Sequence, residues 1–178
     1  MNVIVDFIYR IVTGKKHVRM LFTPIFAAFF LILVVLFIFL ARRVDAFFGL
    51  SRPLQYPWNY VVSLPLLAGG ALLWLWSVVH FARARGTPVP VSPPPKLVDS
   101  GPYAYVRNPM LSGVFLILFA VAFLIGSSSL LFVFAPAFVG CSILEFKLIE
   151  EPELEKRFGE KYLEYKRRTP LLIPKFFR

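Results

Sequence analysis

Three long stretches of this chain carry no Asp, Glu, Lys or Arg. They lie between Arg19 and Arg42, between Arg52 and Arg83, and between Arg107 and Glu145. A transmembrane helix needs about 20 consecutive, mostly apolar residues to cross a hydrocarbon core of about 30 Å. The three stretches are therefore the predicted membrane segments.

The third stretch contains 37 residues. As a single helix it would measure roughly 55 Å, which is too long for one crossing, so it must fold back once. Gly126-Ser127-Ser128-Ser129 is the only interruption near its middle. The pattern predicts two antiparallel spans at 109–126 and 128–149, joined by a very short turn.

The first two spans are predicted at 21–40 and 58–81. The second contains Pro65 and Gly69-Gly70, which are expected to bend the helix or to admit close packing against a neighbour. Four spans place both termini on the same side of the membrane. The predicted fold is an all-α membrane protein with about four transmembrane helices.

The flanking segments are also predicted to be helical or extended. An interfacial N-terminal helix is indicated by apolar residues on one helical face, namely Val3, Ile4, Phe7, Ile8 and Ile11. The proline-rich stretch 86–95 is expected to be extended. Glu150-Glu151-Pro152 is expected to open a polar C-terminal helix that ends at Pro170.

The chain is predicted to form a single domain over residues 1–178. Residues 1–82 hold the N-terminal helix and two spans, and residues 83–178 hold the re-entry loop, the helical hairpin and the C-terminal helix. The first apolar run follows about twenty residues that include Asp6 and several bases, so we expect an anchor rather than a cleaved signal.

Composition and charge support a membrane location. The chain is 58% hydrophobic with a mean hydropathy of +0.70. Of its 20 Lys and Arg residues, 17 fall on the side that carries both termini, which is therefore the expected cytoplasmic side. The net charge of +10 is better explained by anionic lipid headgroups than by nucleic acid, because no nucleic-acid-binding module is recognisable. Cys141 is the only cysteine, so neither an intramolecular disulfide nor a metal cluster built on cysteine is expected.

Two segments outside the spans carry the candidate chemistry. The first reads Leu97-Val98-x-x-Gly101-x-Tyr103-x-x-x-Arg107-Asn108-Pro109, and the second reads Glu150-Glu151, then Phe158-Gly159, then Tyr162 and Tyr165. Both resemble the isoprenylcysteine carboxyl methyltransferase and phospholipid methyltransferase family, whose patterns are approximately LVxxGxYxxxRHPxYxG and EExxxxxxFGxxYxxY. The resemblance covers roughly residues 83–174.

This resemblance implies a membrane methyltransferase whose two segments enclose S-adenosylmethionine. It assigns six residues to the cofactor pocket, which are Leu97, Val98, Tyr103, Asn108, Pro109 and Glu150. It places Arg107 and Glu151 at the charged rim, where they are the candidate catalytic residues.

The sequence departs from the family pattern at three positions. Asn108 replaces a histidine, Leu111 replaces a tyrosine, and Phe146 stands where an arginine is thought to meet a prenylcysteine carboxylate, with Lys147 beside it. A buried carboxylate without a cationic partner is costly, so this change disfavours a prenylcysteine acid unless Lys147 turns inward. It favours a neutral or thiol-bearing acceptor, while a carboxylate or a lipid amine stays open.

The chemistry of the cofactor is consistent with these residue types. Glu150 and Glu151 are suited to the ammonium and the sulfonium, and Arg107 is suited to the carboxylate. Tyr103, Tyr105 or Tyr162 is suited to adenine or to a cation–π contact. An amine or thiol acceptor must lose a proton, and Glu151 is the candidate base.

Each feature also has a structural explanation. The two glutamates suit the first turn of a surface helix, Arg107 suits a membrane anchor, and Lys147 with Glu151 suits a helix pair. His80 is expected to be structural. The alternative function is a non-catalytic membrane scaffold or small transporter, although these spans lack the mid-membrane ionisable group that transporters usually contain.

Overall fold

The computed structural model describes residues 5–6, 9–10, 13–14, 16–86 and 94–174, with side chains in the first long helix from residue 24 onward. These residues form helices and no strand, which confirms the all-α prediction. The main helices are α1 (Lys16–Phe48), α2 (Trp58–Arg83), α3 (Pro109–Ile125), α4 (Leu130–Phe158) and α5 (Glu160–Arg168), with a short 3-10 turn at Gly101–Ala104.

Among the described residues, three helices are long and apolar enough to cross a membrane: Pro24–Phe48 of α1, α2 and α4. The apolar helix α3 has 17 residues and is shorter than these three. The membrane prediction is confirmed, and a fourth crossing by α3 stays a prediction. Helix α1 continues past the predicted end at residue 40, because Arg42, Arg43 and Asp45 remain helical after the apolar run ends.

Helices α2 and α3 pack against each other at glycine residues. A β-carbon added to Gly70 would lie 2.8 Å from the carbonyl oxygen of Gly113, while Gly69 faces open space. The predicted close packing is therefore confirmed at Gly70 alone. Pro65 lies inside α2, which continues through it.

The turn between α3 and α4 is bonded to the end of α1. Gly126 ends α3 with a left-handed φ of 66°. Asp45 accepts a hydrogen bond from the Ser127 hydroxyl and another, 2.8 Å long, from the backbone N–H of Ser129. The core beside this turn includes Phe115 of α3 and Phe138 of α4, whose rings meet edge to face at 6.2 Å. The predicted short turn and helical hairpin are confirmed.

Helix α4 continues beyond the predicted span end at residue 149. Two π turns interrupt its α-helical pattern, at Leu130–Phe134 and at Phe146–Glu150, and the N–H of Glu151 donates to the carbonyl of Phe146 five residues earlier. The polar helix predicted to open at Glu150 is present as an α-helix over Glu151–Phe158, with Pro152 in its first turn, but it continues from the span without a break. The predicted C-terminal helix is also divided, because Gly159, with φ 58°, separates α4 from α5.

The apolar face of the predicted interfacial helix falls on Val3, Ile4, Phe7, Ile8 and Ile11, which lie outside the described residues. Asp6 is helical and pairs with Lys156 of α4 at 2.6 Å. Most of the proline-rich stretch also lies outside the described residues. Its ends meet, because a β-carbon on Gly86 would lie 2.6 Å from Cδ of Pro94.

Candidate functional site

A buried ion-pair network joins the two segments that the sequence singled out. Arg107 precedes α3, and its Nη1 lies 2.5 Å from Oε1 of Glu151. The other oxygen of Glu151, Oε2, lies 2.5 Å from Nζ of Lys166 in α5. Glu151 is 4% exposed, so its charge is compensated by two cations rather than by solvent.

Tyr162 adds a hydroxyl to this network. The Tyr162 oxygen accepts a long hydrogen bond of 3.5 Å from Nη1 of Arg107. Burial raises the pKa of Tyr162 to about 12, and the negative charge of Glu151 adds to the rise. The phenol therefore stays neutral at physiological pH.

The re-entry loop is held by a second tyrosine from α5. The hydroxyl of Tyr165 donates to the backbone carbonyl of Tyr103 at 2.7 Å. The ring of Tyr103 stacks on Phe81 at the end of α2, with 5.1 Å between centroids. Helices α2 and α5 thus fix the loop between them.

The hydroxyl of Tyr103 is a buried polar group at this site. Its side chain is 5% exposed, and its hydroxyl has no hydrogen-bond partner among the described residues. Burial raises the pKa of Tyr103 above its ordinary value, and the charges of Tyr165 and Glu150 contribute. The Tyr103 phenol therefore stays neutral at physiological pH.

His80 packs directly against the glycine of the first segment. A β-carbon on Gly101 would lie 2.2 Å from Nε2 of His80, and Gly101 has a left-handed φ of 60°. Nδ1 of His80 lies 3.1 Å from the carbonyl of Trp76 in the same helix. Both the backbone conformation and the imidazole therefore require glycine at position 101.

Asn108 and Pro109 begin α3. Oδ1 of Asn108 accepts from the N–H of Leu111 at 3.1 Å, and Pro109 is buried in the first turn. The C-terminal segment closes over this point, because the N–H groups of Arg107 and Asn108 donate to the carbonyls of Pro170 and Leu171 at 2.8 and 3.1 Å. The amide of Asn108 therefore has a capping role in addition to any contact with a ligand.

The first two residues of the π turn in α4 differ in exposure. Phe146 is 3% exposed, and Lys147 beside it is exposed. Glu151 is bonded to Arg107 and Lys166, so the simple helix pair between Lys147 and Glu151 does not form. Glu153 pairs with Arg157, its Oε1 3.3 Å from Nε.

The structure brings most of the predicted site residues to the same end of the helices. Arg107 contacts both Glu151 and Tyr162, and Tyr103 joins them through Tyr165. Leu97 and Val98 are half-buried in the loop that leads to Tyr103, with no polar contact to the network.

Sequence reasoning missed the roles of Lys166 and Phe81. Lys166 follows Glu151 by fifteen residues in the sequence. This spacing did not predict a contact, because the helix is broken at Gly159 between the two residues. Phe81 resembled any other apolar residue at a span end. Within the described part of the chain, no group of three or more His, Cys, Asp or Glu residues is placed to hold a metal ion.

The fold and the site define an α-helical membrane protein with a charged centre at one end of its helices. Comparison of the sequence with family models gives a match. The model for phospholipid methyltransferase matches residues 58–161. This match covers more than half of the chain, and the chain belongs to the phospholipid methyltransferase family. Comparison with curated proteins gives no match, and comparison with solved structures gives none. Family membership places the chain among membrane methyltransferases.

Proposed function

We propose that the chain transfers a methyl group from S-adenosylmethionine to a lipophilic acceptor that enters from the membrane. The observation that carries this proposal is the buried contact between Arg107 and Glu151, because it joins the two segments that resemble the cofactor-binding elements of the family. The family match supports methyl transfer, and the three long apolar helices support an acceptor dissolved in lipid.

The residues at this end suit the cofactor's chemical groups. Nε of Arg107 is buried without a hydrogen-bond partner among the described residues, so it offers a donor to a carboxylate. Glu150 offers an anion to an ammonium group. The Tyr103 ring and its unpartnered hydroxyl supply an aromatic wall with a hydrogen-bonding edge.

When bound, S-adenosylmethionine supplies a methyl group attached to a positively charged sulfur. The protein has to align donor and acceptor and to exclude water, and a buried, prearranged charge network does both. Arg107 is fixed by Glu151, and Glu151 is fixed by Lys166. Because both of its oxygens are paired, we propose that Glu151 positions Arg107 rather than accepting a proton.

The proposed setting follows from the charges on either side of the spans. The network lies on the side that carries 17 of the 20 Lys and Arg residues, and we propose that this side and both termini are cytoplasmic. The cofactor then arrives from the cytoplasm and the acceptor arrives from the lipid. Membrane lipid is the proposed partner.

Binding of labelled S-adenosylmethionine to the purified chain in lipid nanodiscs tests the proposal. Glu150→Gln is expected to weaken binding about ten- to a hundredfold, because a charge-assisted hydrogen bond contributes about 1.5–3 kcal/mol. Glu164→Gln is the matched control, since Glu164 is exposed on α5. A wild-type protein that binds no S-adenosylmethionine would contradict the proposal.

A further inference from the structure

Three arginine residues lie at the end of the helices opposite the candidate site. Arg42 and Arg43 are in the last turns of α1, and Arg52 is in the loop before α2. They are the three of the chain's 20 Lys and Arg residues that fall on the side with fewer bases. Basic residues beside membrane spans are depleted on that side. Their presence here therefore calls for a specific role.

Arg42 and Arg52 meet at the C-terminal end of α3. Nη1 of Arg42 donates to the carbonyl of Ile125 at 3.2 Å. A β-carbon on Gly126, the next residue, would lie 2.9 Å from Cδ and 3.2 Å from Nε of Arg52. Both arginines are exposed. Two guanidinium groups, one from α1 and one from the loop, are therefore held against neighbouring residues of the same helix end.

One carboxylate stands against these three guanidinium groups. Asp45 is the one Asp or Glu in residues 7–98. One of its oxygens accepts from the Ser127 hydroxyl, and the other accepts from the backbone N–H of Ser129. With three Arg and one Asp, the segment from Arg42 to Arg52 carries a net charge of +2. This end of the molecule therefore attracts an anion.

The end of α3 explains the position of Arg42 better than that of Arg52. The free carbonyls at a helix C-terminus attract cations, and Arg42 donates to one of them. Arg52 packs its aliphatic stem on Gly126 and forms no hydrogen bond or ion pair with another described residue. A guanidinium presents its N–H donors in a planar fork that matches a phosphate. Arg42 keeps most of these donors for a ligand, and Arg52 keeps all of them.

Arg43 has a different contact from its neighbour Arg42. The guanidinium of Arg43 lies over the ring of Phe39, with 4.8 Å between its central carbon and the ring centroid. Successive residues of an α-helix point about 100° apart. Arg43 therefore carries the same charge at nearly the same depth without the contact to the end of α3.

The surroundings of the arginines indicate the level of the lipid head groups. Arg42 ends the uncharged stretch that begins after Arg19. Four exposed aromatic residues lie at the same end of the helices, namely Phe47, Phe48, Tyr56 and Trp58. Aromatic residues of this kind are enriched at the interface between membrane and water. The anion that meets an arginine at this depth is the phosphate of a lipid.

We propose that Arg42 and Arg52 bind the phosphate of an anionic phospholipid in the leaflet at this end of the helices, where the lipid ties α1 and the loop to the end of α3. The net charge of +2 selects a lipid without a cationic head group. This lipid is not the methyl acceptor, because the 17 residues of α3, about 25 Å of helix, separate it from Arg107. The inference goes beyond the proposed function and does not depend on it.

Trp58 reports on a lipid bound at this end. The other two tryptophans lie in the second half of α2, so Trp74→Phe with Trp76→Phe leaves Trp58 as the single reporter. The full chain is placed in phosphatidylcholine nanodiscs that contain increasing fractions of phosphatidylglycerol brominated near the head-group end of its chains. Quenching of Trp58 fluorescence is measured for this background and for Arg52→Gln and Arg43→Gln within it. Brominated phosphatidylcholine with the same chains reports contact with bulk lipid.

Arg52→Gln is expected to need about fivefold more phosphatidylglycerol for the same quenching, which corresponds to about 1 kcal/mol. The matched control Arg43→Gln should change this requirement by less than about twofold. Phosphatidylglycerol should also raise the thermal unfolding midpoint of the background protein more than that of Arg52→Gln.

Several results would overturn the inference. Equal shifts for Arg43→Gln and Arg52→Gln would show general attraction of anionic lipid without a site. Equal quenching by the two brominated lipids would show no selection, and loss of the difference on addition of soluble glycerol phosphate would show a site for a free phosphate. A lower unfolding midpoint of Arg52→Gln with unchanged quenching would show that Arg52 has a structural role alone.

Discussion

The carbonyl oxygen of Gly113 occupies the place that a side chain on Gly70 would need. A β-carbon on either residue would lie 2.8 Å from the carbonyl oxygen of the other, so the contact is reciprocal. Helices α2 and α3 therefore approach backbone to backbone at this point, as small residues permit in membrane proteins. Arg107 directly precedes α3 and Phe81 lies near the end of α2, so this contact also sets the spacing at the candidate site.

Gly70→Ala is expected to destabilise the protein, because the added methyl group has to push the α3 backbone away. Overpacking of this kind costs about 1–3 kcal/mol. Thermal unfolding in detergent should show a lower midpoint. Gly69→Ala is the matched control, since nothing lies within 4 Å of its added carbon and alanine favours helix. Equal midpoints for the two variants would show that the helices do not meet here.

Arg107→Gln and Glu151→Gln should each destabilise the fold strongly. Their side chains are 10% and 5% exposed, and removal of one partner of a buried pair typically costs about 3–5 kcal/mol. The double variant should lose less than the sum of the single losses. Arg167→Gln breaks the exposed pair with Glu160 and should change stability by less than about 1 kcal/mol. Additive losses in the cycle would contradict a direct contact.

Alkaline pH should unfold the protein partly through Tyr162. Burial raises its pKa from 10.0 to about 12, so the unfolded chain loses this proton before the folded chain does. The resulting stability is complete below about pH 10 and is lost as the pH rises toward 12. Unfolding midpoints measured from pH 9 to 12 should fall less steeply for Tyr162→Phe than for wild type. Parallel curves would show that Tyr162 titrates normally.

The basic residues predict the orientation in the membrane. In a Cys141→Ser background, Gln55→Cys lies in the loop between α1 and α2, and Lys161→Cys lies on α5. A membrane-impermeant thiol reagent applied to intact cells should label position 55 and should not label position 161. After the cells are permeabilised, both should react. The opposite pattern would invert the proposed topology and place the charged network outside.

Much of the helical layout could be predicted from the sequence, because lipid excludes charge and requires each span to satisfy its own backbone hydrogen bonds. The uncharged run before Arg83 forms α2, and the serine cluster forms the turn after α3, as the sequence predicts. Helix ends were harder to predict. Arg42 and Asp45 lie beyond the apolar run, yet they remain helical because Arg42 bonds to the carbonyl of Ile125 and Asp45 bonds to the serine turn.

The residues that form the candidate site could be predicted from the sequence, but the ion pairs between them could not. Arg107, Glu151 and Tyr162 were singled out by family resemblance, and the structure places them in contact. The partner of Glu151 could not be foreseen, because Lys166 reaches it only after the chain turns at Gly159.

The π turn at Phe146–Glu150 has the effect of one residue inserted into a helix without a loop to absorb it. Each residue added to or removed from an α-helix rotates all that follows by about 100°. Deletion of a single residue here would leave the span hydrophobic and the turns unchanged, yet it would direct Glu151 away from Arg107. Relatives aligned with this chain should therefore be compared by helical phase at this point, since a one-residue gap there changes which acid faces the guanidinium.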